Sequence, residues 1–82
     1  MIPRIKSVNA LDNYMLRVSF DDNKTVLYNV ADDIRQIEDF KSLETVEGLW
    51  QNVQLDSSRT CIFWNDRIDL ASDSIYEFGI KQ

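Results

Sequence analysis

The 82-residue chain contains no histidine, one cysteine, one proline and two glycines. Without histidine the commonest general base and metal ligand are both missing, and one cysteine cannot close an internal disulfide. Composition therefore excludes histidine-based catalytic triads and the usual zinc constellations. Gly48 and Gly79 stand alone, so no glycine-rich loop can cradle a phosphate. Apolar runs are short, with nothing near the ~18 consecutive residues that suggest a transmembrane helix. The stretch Met1 to Lys6 lacks the apolar segment of a secretory signal. With a single unpaired thiol, the cytoplasm is the expected compartment, without membrane association.

Positive charge is also scarce. Nine Lys and Arg face 14 Asp and Glu, a net charge of −5 with a pI near 4.4. Nucleic-acid domains draw much of their affinity from clustered cations that release counterions, so no direct nucleic acid binding is expected. Arg4, Lys6, Arg17 and Lys24 gather in the first third and read as a solvated strand surface. What the chain does have is apolar mass, 44% hydrophobic and 11% aromatic residues, which argues against disorder. Its length fits a single small domain over 1–82.

Four regions have local character. Residues 3–8 read as an opening strand, with Ile5 and Val8 apolar and Pro3 tolerated at its start. Residues 14–20 alternate, Tyr14, Leu16, Val18 and Phe20 against Met15, Arg17 and Ser19, the signature of a half-buried strand. The turn Asp21-Asp22-Asn23-Lys24 uses the tolerance of Asn for the left-handed conformation, and residues 25–30 return as the partner strand. Its register stays open, because Leu27 is as apolar as Val26, Tyr28 and Val30. Ile34, Ile37 and Phe40 predict a short helix over 32–38. Val46, Leu49 and Trp50 at i, i+3, i+4 predict a second from Leu43 or Glu44, with Gly48 inside it at a cost of ~1 kcal/mol.

The last third reads strand, turn, strand, helix. Val53 and Leu55 alternate with polar neighbours. Thr60 to Trp64 follows, apolar on both alternating sets from Cys61 onward, as in a strand covered on both faces. On that reading Ile62 and Trp64 project to one side, Cys61 and Phe63 to the other, and Phe63→Ala would cost ~3–5 kcal/mol. Residues 68–70 extend again, and Ser72 or Ser74 caps a final helical turn. The predicted class is α+β, a mainly antiparallel sheet built from two hairpins with two or three short helices packed against it.

No catalytic constellation emerges. Cys61 lies in the most apolar strand, where burial keeps a thiol protonated. The adjacent pairs Asp21-Asp22 and Asp32-Asp33 splay apart, whereas acid–base pairs must converge across a cleft. Asp66, Asp69, Asp73 and Glu77 lack the alternating ligands and central glycine of a calcium loop. No cofactor is expected. Trp50 reads as core, and Trp64 as either a core edge or an interface residue.

The block Trp64-Asn65-Asp66-Arg67-Ile68-Asp69-Leu70, followed by Ala71-Ser72-Asp73-Ser74-Ile75-Tyr76-Glu77, resembles the closing signature of the bacterial "domain of unknown function 2442" family. Pro3 with the strand to Val8, Leu16 to Phe20, the acidic turn and Phe40-Lys41-Ser42-Leu43 fit as well. Asn65-Asp66, Asn23 and Asn29 depart from the family's usual proline-glycine turn, hairpin glycine and aspartate. The resemblance implies a small bacterial cytoplasmic α+β protein without enzymatic activity, often encoded beside another small protein in a toxin–antitoxin-like arrangement. A chain of this length leaves no room for a helix-turn-helix segment, so DNA contact would depend on a partner.

The expected function is that of a non-enzymatic protein-binding module, an antitoxin-like or accessory member of a two-protein system. A small-molecule-binding domain is the alternative, although so small a core seldom spares a cavity of ~300 Å³. The candidate partner-binding residues are Trp64, Asp66, Arg67 and Asp69, around a turn that combines an aromatic, an arginine and two carboxylates. The first hairpin is the other candidate surface.

Overall fold

A computed structural model describes residues 2–82. Strand β1 (Ile5–Ala10) is followed by a tight turn, β2 (Met15–Phe20), the Asp21–Lys24 turn and β3 (Thr25–Asn29). Helix α1 (Ala31–Gln36) leads through a 3-10 turn at Glu38–Lys41 into the single-turn α2 (Ser42–Thr45). A second 3-10 turn at Trp50–Asn52 precedes β4 (Gln54–Leu55), β5 (Cys61–Asn65), β6 (Ile68–Ala71), α3 (Ser72–Phe78) and β7 (Ile80–Lys81). The strands form two antiparallel sheets, one in the order β1-β2-β3-β7 and one in the order β4-β5-β6. This is an α+β fold, as expected, but with two sheets in place of one.

Alternation decides which side of each strand is buried. Leu16, Val18 and Phe20 of β2 face the core beside Ile5, Val26 and Val30, and Ile62, Trp64 and Ile68 close it from the second sheet. Ile34, Phe40, Leu43, Trp50 and Ile75 fill the space between. The open register of β3 resolves in favour of Val26, since Val26 pairs with Val18 and Leu27 with Arg17 on the opposite side. Asn23 takes φ 70° in the hairpin turn, the left-handed geometry its type favours.

Several boundaries differ from expectation for physical reasons. Strand β1 begins at Ile5 and runs on to Ala10. Tyr14 lies outside β2, because it and Asn13 both take left-handed conformations in the turn that Leu11 N–H closes on Met15 O. The second helix stops at Thr45: Val46 is extended, and Gly48 at φ +81° cannot belong to an α-helix. Val46 is consequently 51% exposed and Ile37, extended after α1, is 43% exposed, so neither joins the core. Neither serine caps α3 through its side chain. Ala71 occupies the cap, and the buried Ser72 hydroxyl instead donates to Pro3 O at 2.7 Å.

Strand β5 is central in its sheet and sends Ile62 and Trp64 to the core side. It is not covered on both faces, because Cys61 and Phe63 remain half-exposed. The register with β6 shifts between Phe63 and Asn65, leaving Trp64 as an extra residue, the geometry by which a bulge re-aims a side chain. Strand β7 has no counterpart in the pattern of the sequence. It adds two residues to the edge of β3, with Leu27 paired to Ile80 and Val26 to Lys81.

Candidate interaction surface

The four residues singled out around the β5–β6 turn do not share one surface. Trp64 is 3% exposed: its indole stacks on Trp50 at 5.6 Å, and its N–H donates to Trp50 O at 3.0 Å. The aromatic is therefore an anchor beneath the turn, not a presented side chain. Asp66, Arg67 and Asp69 are exposed. Asn65 shapes the turn, its Oδ1 accepting the N–H groups of Arg67 and Ile68 at 2.9 and 3.0 Å. Asp69 sits on β6 opposite Phe63, on the side away from the core.

Arg67 approaches Asp39 of the 3-10 turn at 3.9 Å. A pair this exposed adds ~0–1 kcal/mol at most, but it sets the turn beside the helical segment 31–52. That segment holds six carboxylates, Asp32, Asp33, Glu38, Asp39, Glu44 and Glu47, against Arg35 and Lys41. Asn29 Oδ1 starts α1 by accepting Ala31 N–H, and Asp32 and Asp33 then stand in the first turn, where the helix dipole favours acids. Arg35 pairs with Asp32, and Lys41 Nζ donates to Ile34 O at 3.1 Å. Asp33 accepts the Tyr28 hydroxyl at 3.0 Å. Burial pushes the Asp33 carboxyl up in spite of that bond, and burial with the nearby Asp33 charge lifts the Tyr28 phenol to about 12.

Outside 31–52 and the 65–70 turn, six cations and six carboxylates balance, so the whole net charge of −5 resides in these two stretches. Neither the total charge nor its densest runs reveal this segregation, which depends on how the charges are distributed over the fold. A groove of about 370 Å³ borders the acidic segment, lined by Asp12, Glu44 and Glu47 with Tyr14, Val46 and Trp50.

The other hairpin presents different chemistry. Asp21 accepts two bonds from the Arg59 guanidinium at 2.7 and 2.9 Å, and this partner holds its carboxyl below the ordinary range. Asp22 accepts the Tyr76 hydroxyl at 2.6 Å and is lowered chiefly by that bond. Lys24 Nζ lies 3.8 Å over the Tyr76 ring, which meets Phe20 in a T-shaped contact. An open groove of about 950 Å³ runs past these residues, with Ile2, Pro3, Phe20 and Tyr76 on its apolar side. Each carboxylate of the adjacent pair is thus bound to a different element, and the two do not converge on a common point.

Cys61 is half-exposed on the outer side of β5, not a core filler as its apolar neighbours suggested. Partial burial, with Asp69 and Asp56 nearby, raises its thiol pKa. Among the described residues, no three Asp, Glu, Cys or His side chains cluster as metal ligands would, and no helix is long and apolar enough to cross a membrane.

Short helices on two small antiparallel sheets, with the net negative charge carried by one helical segment and the β5–β6 turn, define a small α+β domain. Residues 5–81 match the model of the family described as Protein of unknown function (DUF2442), and the chain belongs to that family. Comparisons with curated proteins and with solved structures give no match.

Proposed function

We propose that the protein is a non-enzymatic protein-binding module whose acidic surface, formed by residues 31–52 and the 65–70 turn, engages a basic partner. In this reading it is the acidic, antitoxin-like or accessory member of a bacterial two-protein system, and its partner is a small protein encoded nearby. The observation that carries the reading is charge segregation: the entire net charge of −5 lies in two stretches set side by side by Arg67 and Asp39. A surface with a net excess of one sign, here eight carboxylates against three cations, attracts a partner of opposite sign and raises its on-rate, more than it adds raw affinity. Exposed Ile37 and Val46 on the same segment supply apolar contact within the acidic field.

The test is co-expression with the product of the adjacent gene, followed by binding measurements at rising salt. The expected complex forms its encounter more slowly as salt rises, and weakens when Glu38 and Asp39 are both changed to Lys. Asp66→Ala and Arg67→Ala should both stay folded and alter binding. A complex indifferent to salt and to these substitutions would sink the acidic surface as the docking site.

A second reading, small-molecule binding, draws on the groove of about 950 Å³ beside Phe20 and Tyr76. Its size matches ligand clefts, although it lies on the surface and not within the core. Thermal-shift screening with metabolites tests it, and a ligand whose effect disappears in Tyr76→Ala would favour it.

A further inference from the structure

From Glu77 onward no side chain holds the chain to the domain. Phe78 is 71% exposed and Ile80 67%, while Glu77, Lys81 and Gln82 are exposed as well. The last side chain with a polar partner is Tyr76, and there the anchoring is firm. Its hydroxyl donates to Asp22, its carbonyl accepts Lys24 Nζ at 3.4 Å, and the neighbouring Ile75 is fully buried. Beyond it, backbone bonds alone fasten the segment, with Gly79 N–H on Ile75 O and Gln82 N–H on Thr25 O, both at 2.8 Å, and the β7 pairing.

Strand β3 does not depend on this segment. Five of its residues pair with β2 and two with β7. The two sides can be told apart amide by amide, because successive residues of a strand point their N–H groups to opposite neighbours. The bond from Phe20 N–H to Lys24 O makes Val18 and Val26 a pair that exchanges both bonds. The bond from Gln82 N–H to Thr25 O does the same for Leu27 and Ile80. Val26 thus points its N–H at β2, and Leu27 points its own at β7.

We infer that residues 77–82 form a detachable strap, and that the β3 edge beneath it is an acceptor site for an extended strand with glycine at the place of Gly79. A segment with exposed side chains and few bonds opens at low free energy while the rest of a domain stays folded. The opened edge presents the outward backbone groups of Thr25, Leu27 and Asn29, the arrangement by which a sheet takes up a strand from another chain. Shape then selects the strand. A Cβ at position 79 would lie 2.7 Å from Ile75 O and from a Val26 methyl, and both residues belong to parts that stay in place. Any strand seated in this register meets the same limit, whereas the exposed positions of Ile80 and Lys81 impose none. A strap on its own chain acts at an effective concentration on the mM scale, so it keeps the site closed until it is weakened or outcompeted. The site is separate from the acidic surface and does not rest on it.

Hydrogen exchange of the full chain, followed by NMR, tests the strap. The Leu27 and Ile80 amides are expected to be protected about 100-fold or less, and those of Val18 and Val26 roughly 10⁴-fold or more. Equal protection on the two sides of β3 overturns the inference. Ile80→Pro removes the N–H that bonds Leu27 O. This variant should keep the circular dichroism of the wild type and lose protection at Leu27 but not at Val26; loss of the whole fold would show that the strap does not detach. A peptide with the sequence Glu77 to Gln82, added to Ile80→Pro at about 2 mM, should restore protection at Leu27 severalfold. The same peptide carrying Gly79→Val should restore none. No effect of the first peptide sinks the acceptor site, and equal effects of the two sink its selection for glycine.

Discussion

Trp64 donates its indole N–H to the backbone carbonyl of Trp50 while the two rings stack with an interplanar angle of 18°. Trp50 in turn donates its own N–H to Leu11 O at 2.9 Å, so the two indoles link the β5 bulge, the second 3-10 turn and the end of β1. Trp64→Ala should cost ~3–5 kcal/mol, most of the stability of a domain this size. Trp64→Phe keeps a ring but leaves the buried Trp50 carbonyl without its donor, adding ~1 kcal/mol or more to the lost volume. Urea unfolding of both variants measures the difference.

Gly79 and Gly48 should respond to alanine in different ways. At Gly79 a Cβ would lie 2.7 Å from Ile75 O and from a Val26 methyl, contacts that backbone and a β-branched side chain cannot relieve. At Gly48 the space is empty, and only the left-handed φ resists a side chain. Gly79→Ala is expected to cost ~2–3 kcal/mol and Gly48→Ala ~1 kcal/mol. Thermal melts in which Gly48→Ala is the worse variant would contradict this ranking.

On β5 the cost expected for Phe63→Ala from the sequence falls. Ile62 is fully buried and Phe63 half-exposed, so Ile62→Ala should cost ~2–5 kcal/mol. Phe63→Ala should cost less, because Phe63 is already partly in contact with solvent on the outer side of the strand. Equal losses for the two would mean that something covers the outer side of β5.

Acid stability turns on carboxylates with opposite signs. Asp21 and Asp22 have folded pKa values below their unfolded ones, so their stabilisation is present above about pH 4 and fades as pH falls through the folded values. Asp33 has a raised folded pKa, so its contribution is present below about pH 4 and is lost as pH rises through the folded value. Asp21→Asn and Asp22→Asn should therefore flatten the acid limb of the stability profile. Asp33→Asn should steepen it, and it should not weaken the fold at pH 7. Urea midpoints between pH 2 and 7 decide the matter.

Much of the first hairpin was legible in the sequence, because Leu16, Val18 and Phe20 alternate and Asn23 supplies the one residue the turn requires. The α+β class and the core role of Trp50 followed from the same periodicities. Where local pattern misled, a distant contact had prevailed. Ser72 looked like a helix cap, yet Pro3 takes its hydroxyl from 69 positions away. Val46, Leu49 and Trp50 kept helical spacing across Gly48, whose positive φ no spacing can reveal. At the turn, Asp66, Arg67 and Asp69 were legible as exposed chemistry, but the bulge that buries Trp64 depends on pairing with β6. Nor could β7 be read from two residues, since its reason to extend is the open edge of β3.

That last pairing bears on the order in which the fold can form. The sheet that begins at Ile5 is completed only by Lys81, and the Arg59–Asp21 and Ser72–Pro3 bonds also join segments far apart in the chain. β1, β2 and β3 can pair through short loops as soon as residue 29 is available, whereas the remaining closures each carry the entropy of a long loop. A nascent chain with its first 70 residues exposed thus holds a three-stranded sheet whose β3 edge, at Val26 and Leu27, has no neighbour. The two-residue strand β7 is what covers that edge, so the segment that protects β3 from pairing with another chain is also among the last to be synthesised.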